Sequence, residues 1–382
     1  MKHVHKILVV STNSSLNSGA SRSLITFVSI LQKERTDFQF QVVIPMHGDM
    51  EDLMRKNGIR YRVILHSNKM WSKEIGAERR IDFVRLAINW VAKIRFALLL
   101  KNIDLVHINA LTTGLAAEVA YKEKKKVIWH FREFMEEDLG REFVNPAMAL
   151  SLIDKADERI AISKSVAHKY QGLLKNKIRI IYNGLPEEEY YCQRDILQRQ
   201  TVRILLPGRI TPQKGQKTLL EALQKLQERG VKNLSAVIIG SGERKYIEDL
   251  KKYIQEHSLS VDILPPSNAI SQFYKQTDVV CVCSHCEAFG RVTVEGMMMG
   301  CVVIGSKSGA NMELIEEGKS GFLYERDNPT SLADKIEYVL NHRELAKKVA
   351  LEGQKKAFET FTAKKNADEI CKVYEKVLGN CK

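Results

Sequence analysis

Nowhere in the 382 residues is there a run of the roughly 18–20 uncharged apolar residues that a membrane-spanning helix needs. The longest candidate, Phe83–Leu100, is broken by Arg85, Lys93 and Arg95. The N-terminus, MKHVHKILVVSTN, has only the short apolar run from Ile7 to Val10 and no small-residue cleavage site, so no secretory signal is expected. Cysteine is sparse. The seven thiols, at 192, 281, 283, 286, 301, 371 and 381, form an odd, clustered set, which argues for reduced side chains and a cytoplasmic chain rather than a disulfide framework. The loop after the first apolar stretch, Ser11 to Ala20, lacks the three-glycine dinucleotide fingerprint, and no GK[ST] phosphate loop occurs. Ordinary NAD, FAD or P-loop nucleotide binding is therefore disfavoured.

What is present reads as a globular α/β protein. Hydrophobic residues make up 44%, enough for real cores, and the length suits two domains of about 100–200 residues. Charge is uneven. Residues 1–185 hold 30 Lys+Arg against 19 Asp+Glu, a net of +11, which leaves the rest of the +13 chain at +2. The first half is expected to face something anionic: a nucleic acid, a phospholipid surface or a lipid diphosphate.

Strand and helix patterns alternate twice. In the first series strands are expected at 6–11, 40–44, 61–65, 105–108, 127–130, 159–163 and 178–181, and helices near 21–31, 50–57, 81–101 and 114–122. The breaker Tyr182-Asn183-Gly184-Leu185-Pro186 and a polar stretch follow. The pattern then restarts with strands at 203–207, 235–239, 261–264, 279–283, 302–305 and 321–324, and helices at 218–229, 246–257, 270–276, 292–299 and over 330–360. Short apolar strands separated by helices imply parallel sheets covered on both faces. The expected domains are 1–185 and 186–362, with a separable helix in 363–382 that packs back on the first.

Four places carry chemistry. In residues 286–315, CEAFGRVTVEGMMMGCVVIGSKSGANMELI, Glu287 and Glu295 flank a loop, Ala288-Phe289-Gly290-Arg291, that opens a helix. Helix N-terminal amides suit phosphate, and carboxylates suit sugar and ribose hydroxyls. The loop Gly208-Arg209-Ile210-Thr211-Pro212-Gln213-Lys214-Gly215 presents two cations fit for a diphosphate and for charge on a departing nucleotide. In the first loop Gly19 allows close approach to a ligand. His130, in VIWHFREF, ends an expected strand, where it is either an acceptor or donor-sugar contact or, as the residue alone favours, a structural histidine, and His107 in DLVHIN is a weaker counterpart.

The GR-x4-KG loop, the glutamate pair with its Gly-rich strand, SGFLY with the turn 327–329, SGASRSL and WHFRE resemble glycosyltransferase family 4, over essentially the whole chain. That resemblance implies a GT-B fold, two Rossmann-like doubly wound domains facing across a cleft, and a retaining transfer without a metal or other cofactor. It implies that Arg209 and Lys214 contact the donor phosphates, Glu295 the ribose, and Glu287 the donor sugar, with amides near Phe289, Gly290, Arg291 and Val292 helping. It further implies that Gly19 lies near the diphosphate, that His130 lies by the transferred sugar, and that the catalytic set is His130, Glu287, Arg209 and Lys214. The partners expected are a UDP- or GDP-linked sugar donor and a glycan or lipid-linked acceptor; that the acceptor is carried on a lipid for a surface polysaccharide, at the inner face of a membrane, is an expectation resting on the +11 first half and the absence of a signal peptide. The sequence departs from the family where GMMMGC (296–301) replaces the more usual alanines and proline, at Gly309-Ala310, and at Ser18-Gly19.

Other readings bear on the same residues. Cys281, Cys283 and Cys286 beside His285 have the look of a metal site, but no second pair stands at zinc spacing, and buried strand thiols are expected. In 79–101 the stripe Phe83, Leu86, Trp90, Ile94 and Leu98 fits either a membrane face or a core face. A basic nucleic-acid-binding protein lacks any accompanying module. A nucleotide-sugar epimerase of GT-B architecture is less favoured than transfer by the intact Arg209, Lys214, Glu287 and Glu295 set.

Overall fold

A computed structural model describes residues 3–77, 82–267 and 269–379. The start of the 79–101 segment and Cys381 lie outside the described residues. The chain divides into two compact units, residues 1–184 with 363–382, and residues 185–362.

The first unit is built on strands β1 (His5–Val10), β2 (Phe38–Ile44), β3 (Arg60–Val63), β5 (Leu105–Ile108), β6 (Lys126–Phe131), β8 (Glu158–Ala161) and β9 (Arg179–Ile180), in the order β3-β2-β1-β5-β6-β8-β9. Every pairing is parallel. Central strands such as β1 and β5 are apolar on both faces because helices cover both sides. The helix Gly19–Glu34 buries Leu24, Phe27, Val28 and Leu31, the spacing of one helical face. Ala363–Leu378 packs into the same core through Ile370, Val373 and Tyr374, and Glu375 pairs with Arg35 at 2.6 Å. Each such apolar side chain contributes about 1.5–3 kcal/mol by leaving water.

The helices Pro146–Asp154 and Lys164–Gln171 were not expected from the sequence, nor was one strand pair, and the stripe in 79–101, which fitted either a membrane or a core face, is resolved. Ser72–Glu74 (β4) and Arg141–Phe143 (β7) form a separate antiparallel pair. Each has only three residues, with Phe143 as the one apolar side chain, too few for the two-residue alternation that would mark them. The helix Phe83–Leu100 packs through Asn89, Ala92, Phe96 and Leu100, not through the stripe Phe83, Leu86, Trp90, Ile94 and Leu98, all of which are exposed. Asn89 is buried because its amide bonds both the N–H and the carbonyl of Ser67, at 2.7 and 3.1 Å.

The second unit holds β10 (Val202–Pro207), β11 (Leu234–Ile239), β12 (Val261–Leu264), β13 (Val279–Val282), β14 (Val302–Ser306) and β15 (Phe322–Tyr324), all parallel, in the order β12-β11-β10-β13-β14-β15. The helix Gln216–Glu228 seals one face with Leu219, Leu220, Leu223 and Leu226. The helix Pro329–Asn341 starts on a proline, with Asn328 accepting from the Ser331 amide, a capped beginning. Among the described residues no helix is long and apolar enough to cross a membrane.

Candidate active site

In the second unit β10 and β13 are neighbours, and strand order reverses between them. Open parallel sheets bind ligands at the carboxyl ends of the strands at such a reversal. The two loops leaving these strands carry the residues singled out from the sequence.

These loops touch through their backbones. Gly215 has φ +67 and enters the helix Gln216–Glu228. A Cβ there would lie 2.2 Å from the Cys283 carbonyl oxygen, so only glycine fits this crossing. The His285 amide donates to the Gln213 carbonyl at 2.9 Å. On this base Lys214 Nζ lies 2.6 Å from Glu287 Oε1, and the Ser284 hydroxyl donates to the same oxygen at 2.5 Å. The Ala310 amide donates to the Glu287 carbonyl at 2.8 Å, while the Ser306 and Ser308 hydroxyls hold the Ser284 carbonyl at 2.6 and 3.0 Å. Glu287 is thus fixed on three sides. Arg209 lies on the same loop as Lys214 and is exposed.

Gly290, at φ +80, is the N-cap of the helix Arg291–Met298 and supplies no side-chain cap. The N-cap thus gives the first amides of that helix no side-chain acceptor, and the positive end of the helix favours an anion. Phe289 is buried and packs edge-on against Phe361. One turn into the helix Glu295 is 6% exposed. Its Oε1 accepts from Arg291 Nε at 2.7 Å and its Oε2 from the Tyr274 hydroxyl at 2.8 Å. Arg291 also reaches the Tyr190 hydroxyl at 3.3 Å. Burial, then the Glu295 charge, pushes the Tyr274 and Tyr190 hydroxyls up from their ordinary value. Tyr274 therefore stays a donor, and Glu295 is an anchored acceptor. Sequence reading missed Tyr190, Tyr274 and Ser284. Only Ser284 had a signal, three residues before Glu287.

The first unit corrects one assignment. β6 runs on to Phe131 and pairs with β8 opposite His130, so His130 is a core residue with no exposed surface, not a sugar contact at a strand tip. Its ring stacks on His107 at 5.3 Å, with Nδ1 3.1 Å from His107 Nε2. His107 Nδ1 is 2.6 Å from the Tyr374 hydroxyl. Burial, with the Arg132 charge, lowers His107 to about 3 and His130 well below the ordinary range, so both rings are neutral. The next two residues stand at the strand tip instead. Arg132 bonds Asn109 Oδ1 at 3.1 and 2.9 Å and the Ser23 hydroxyl at 3.1 Å, and reaches Asn183. Glu133 accepts from the Leu111 amide at 2.7 Å, and burial raises it to about 7. Gly19 begins the helix Gly19–Glu34, and a Cβ there would meet nothing within 4 Å.

Cys281 and Cys283 are buried in the core of the second unit, and burial pushes Cys283 up to about 12 and Cys281 well above its ordinary value. Protonated core thiols are poor ligands. The three potential metal ligands that come together among the described residues, His3, His5 and Asp104, belong to the first unit, where His5 begins β1.

Residues 194–356 match the family described as glycosyl transferases group 1, and residues 18–189 match glycosyltransferase family 4. An uncharacterised glycosyltransferase of Methanocaldococcus jannaschii is 26% identical over 92% of this chain and 93% of its own length. The capsular polysaccharide biosynthesis glycosyltransferase CapM of Staphylococcus aureus is 27% identical over 58% of this chain and 62% of its own. Among solved structures, HepE of Anabaena in complex with UDP and glucose superposes with a TM-score of 0.81 at 21% identity, over 97% of this chain and 99% of that one.

Proposed function

The chain belongs to the glycosyltransferases of group 1 and family 4, with the GT-B fold of two Rossmann-like domains, and from that premise we propose a retaining, metal-independent transfer of a hexose from a UDP- or GDP-sugar. The acceptor is a glycan or lipid-linked saccharide of surface-polysaccharide synthesis, met at an anionic membrane face. The observation that supports this best is Lys214 and Glu287 held 2.6 Å apart at the carboxyl ends of β10 and β13. UDP is favoured because HepE was solved with it, and the polysaccharide context follows the description of CapM.

In this reading the donor diphosphate lies against Arg209, Lys214 and the uncapped amides after Gly290. Fixed positive charge there stabilises the leaving group without reorganisation. Glu295, braced by Tyr274 and Arg291, accepts from the ribose hydroxyls. Glu287 has Oε1 committed to Lys214 and Ser284 and offers Oε2 to a sugar hydroxyl. The bond from the anomeric carbon to the diphosphate oxygen breaks, and the acceptor oxygen bonds that carbon on the same face. The acceptor proton passes to the departing diphosphate. The charge that a divalent ion supplies elsewhere comes from Arg209, Lys214 and the helix amides.

Lys214→Ala and Glu295→Ala test these roles. Each should lower turnover by about 10²–10³-fold, the cost of removing one fixed electrostatic contact, while the fold survives by circular dichroism. Near-normal turnover in both would reject the site.

A further inference from the structure

We infer that the helix Phe83–Leu100 and the cationic groove at its C-terminal end form a docking surface for an anionic bilayer; this rests on the membrane-side reading above and assigns the surface. The helix has two apolar stripes, and its core needs only one. Ala92, Phe96 and Leu100 face inward, whereas Phe83 is 79%, Trp90 66% and Leu98 59% exposed. Val84, Val91 and Ile94 are exposed beside them. An exposed apolar face of this extent on a soluble chain marks an interaction site.

Charge selects the partner. Leu98 also lines a groove of about 730 Å³ with Lys6, Arg60, Arg62 and Arg95, and no carboxylate is among its described lining residues. None of these four cations makes a side-chain ion pair among the described residues. A protein partner or a second copy would need an equally acidic and apolar face to match. A bilayer offers both at once, with headgroup phosphates at the level of the groove and acyl chains for the aromatic and aliphatic stripe. Polybasic surfaces gain affinity with each cation near an anionic leaflet, within a Debye length. The sequence left both a membrane face and a core face open for this stripe. The structure gives the core to the other stripe.

The full chain is mixed with phosphatidylcholine vesicles, with and without phosphatidylglycerol, and read by co-sedimentation and tryptophan emission. Trp71 and Trp129 are buried, so Trp90 dominates any shift on binding. The wild type should sediment with the anionic vesicles, shift its emission to the blue, and release as salt rises. Arg60→Glu/Arg62→Glu/Arg95→Glu should lose about fivefold or more in partitioning per cation removed, and Phe83→Ser/Trp90→Ser should lose binding to the same vesicles. All of these side chains are exposed, and a donor-nucleotide thermal shift retained in both variants verifies folding and the sugar site independently. Wild-type binding that neither variant weakens would overturn the assigned surface while leaving the membrane reading intact. No wild-type binding at low salt, or a dimer that Trp90→Ser dissolves in the absence of vesicles, would overturn both.

Discussion

Glu295 and Glu133 are both buried carboxyl groups, and their surroundings set them to opposite tasks. Glu295 is braced by Arg291 and Tyr274. Tyr274→Phe removes one brace and leaves an acceptor without its donor. The expected cost is about 1–3 kcal/mol of stability, with a rise in donor KM larger than the fall in kcat, read by thermal unfolding and steady-state kinetics. Among the described residues no cation is bonded to the Glu133 carboxylate, and burial raises it to about 7, against an unfolded value of about 4.3. Between those values the folded chain keeps a proton that the unfolded chain has released. Stability from this group is therefore full below about pH 4.3 and is lost as the pH rises through 7. Glu133→Gln should gain melting temperature relative to wild type on going from pH 5 to pH 8. A difference between the two proteins that is flat with pH would contradict the burial argument.

At the scale of elements, the loops decide what the strands can do. Gly215 has φ +67 with no room for a Cβ, whereas Gly19 has open space in the first turn of its helix. Gly215→Ala should lower the melting temperature and abolish turnover together. Gly19→Ala should leave the fold intact or stabilise it by up to about 1 kcal/mol. Any loss of turnover in Gly19→Ala therefore reports a ligand passing close by, and unchanged kinetics would remove the first loop from the site. The elements themselves were largely legible in the sequence, because buried parallel strands are mostly apolar: β13 is so along its length, β1 from Ile7 to Val10, and β5 at all but His107. The pair β4–β7 was not legible, since three residues per strand are too few to carry a periodic signal. The role of His130 was misread for a related reason. Its strand extends one residue further than the apolar run suggests, and that places the histidine inside and Arg132 with Glu133 at the tip. In the helix Phe83–Leu100 two apolar stripes compete, and the choice between them depends on the backbone of Ser67, which only the folded chain brings to Asn89.

Across the whole molecule, the candidate site gathers residues far apart in sequence. Lys214 meets Glu287 across 73 positions, and Tyr274 meets Glu295 across 21. The first pairing was partly legible, because both residues sit in loops at strand ends where ligands bind. The second was not, because nothing in the spacing of a helical tyrosine marks it as a brace. The surplus of +11 in residues 1–185 includes Arg60, Arg62 and Arg95, which places part of it beside an exposed apolar helix of the first unit. The most direct test is a thermal-shift and hydrolysis panel of UDP- and GDP-sugars, run with and without EDTA on the wild type and Lys214→Ala. Stabilisation of the wild type by one nucleotide class, indifferent to chelation and lost in Lys214→Ala, is the expected result. A response that EDTA abolishes, or one that Lys214→Ala retains in full, would contradict a transfer driven by the protein's own cations.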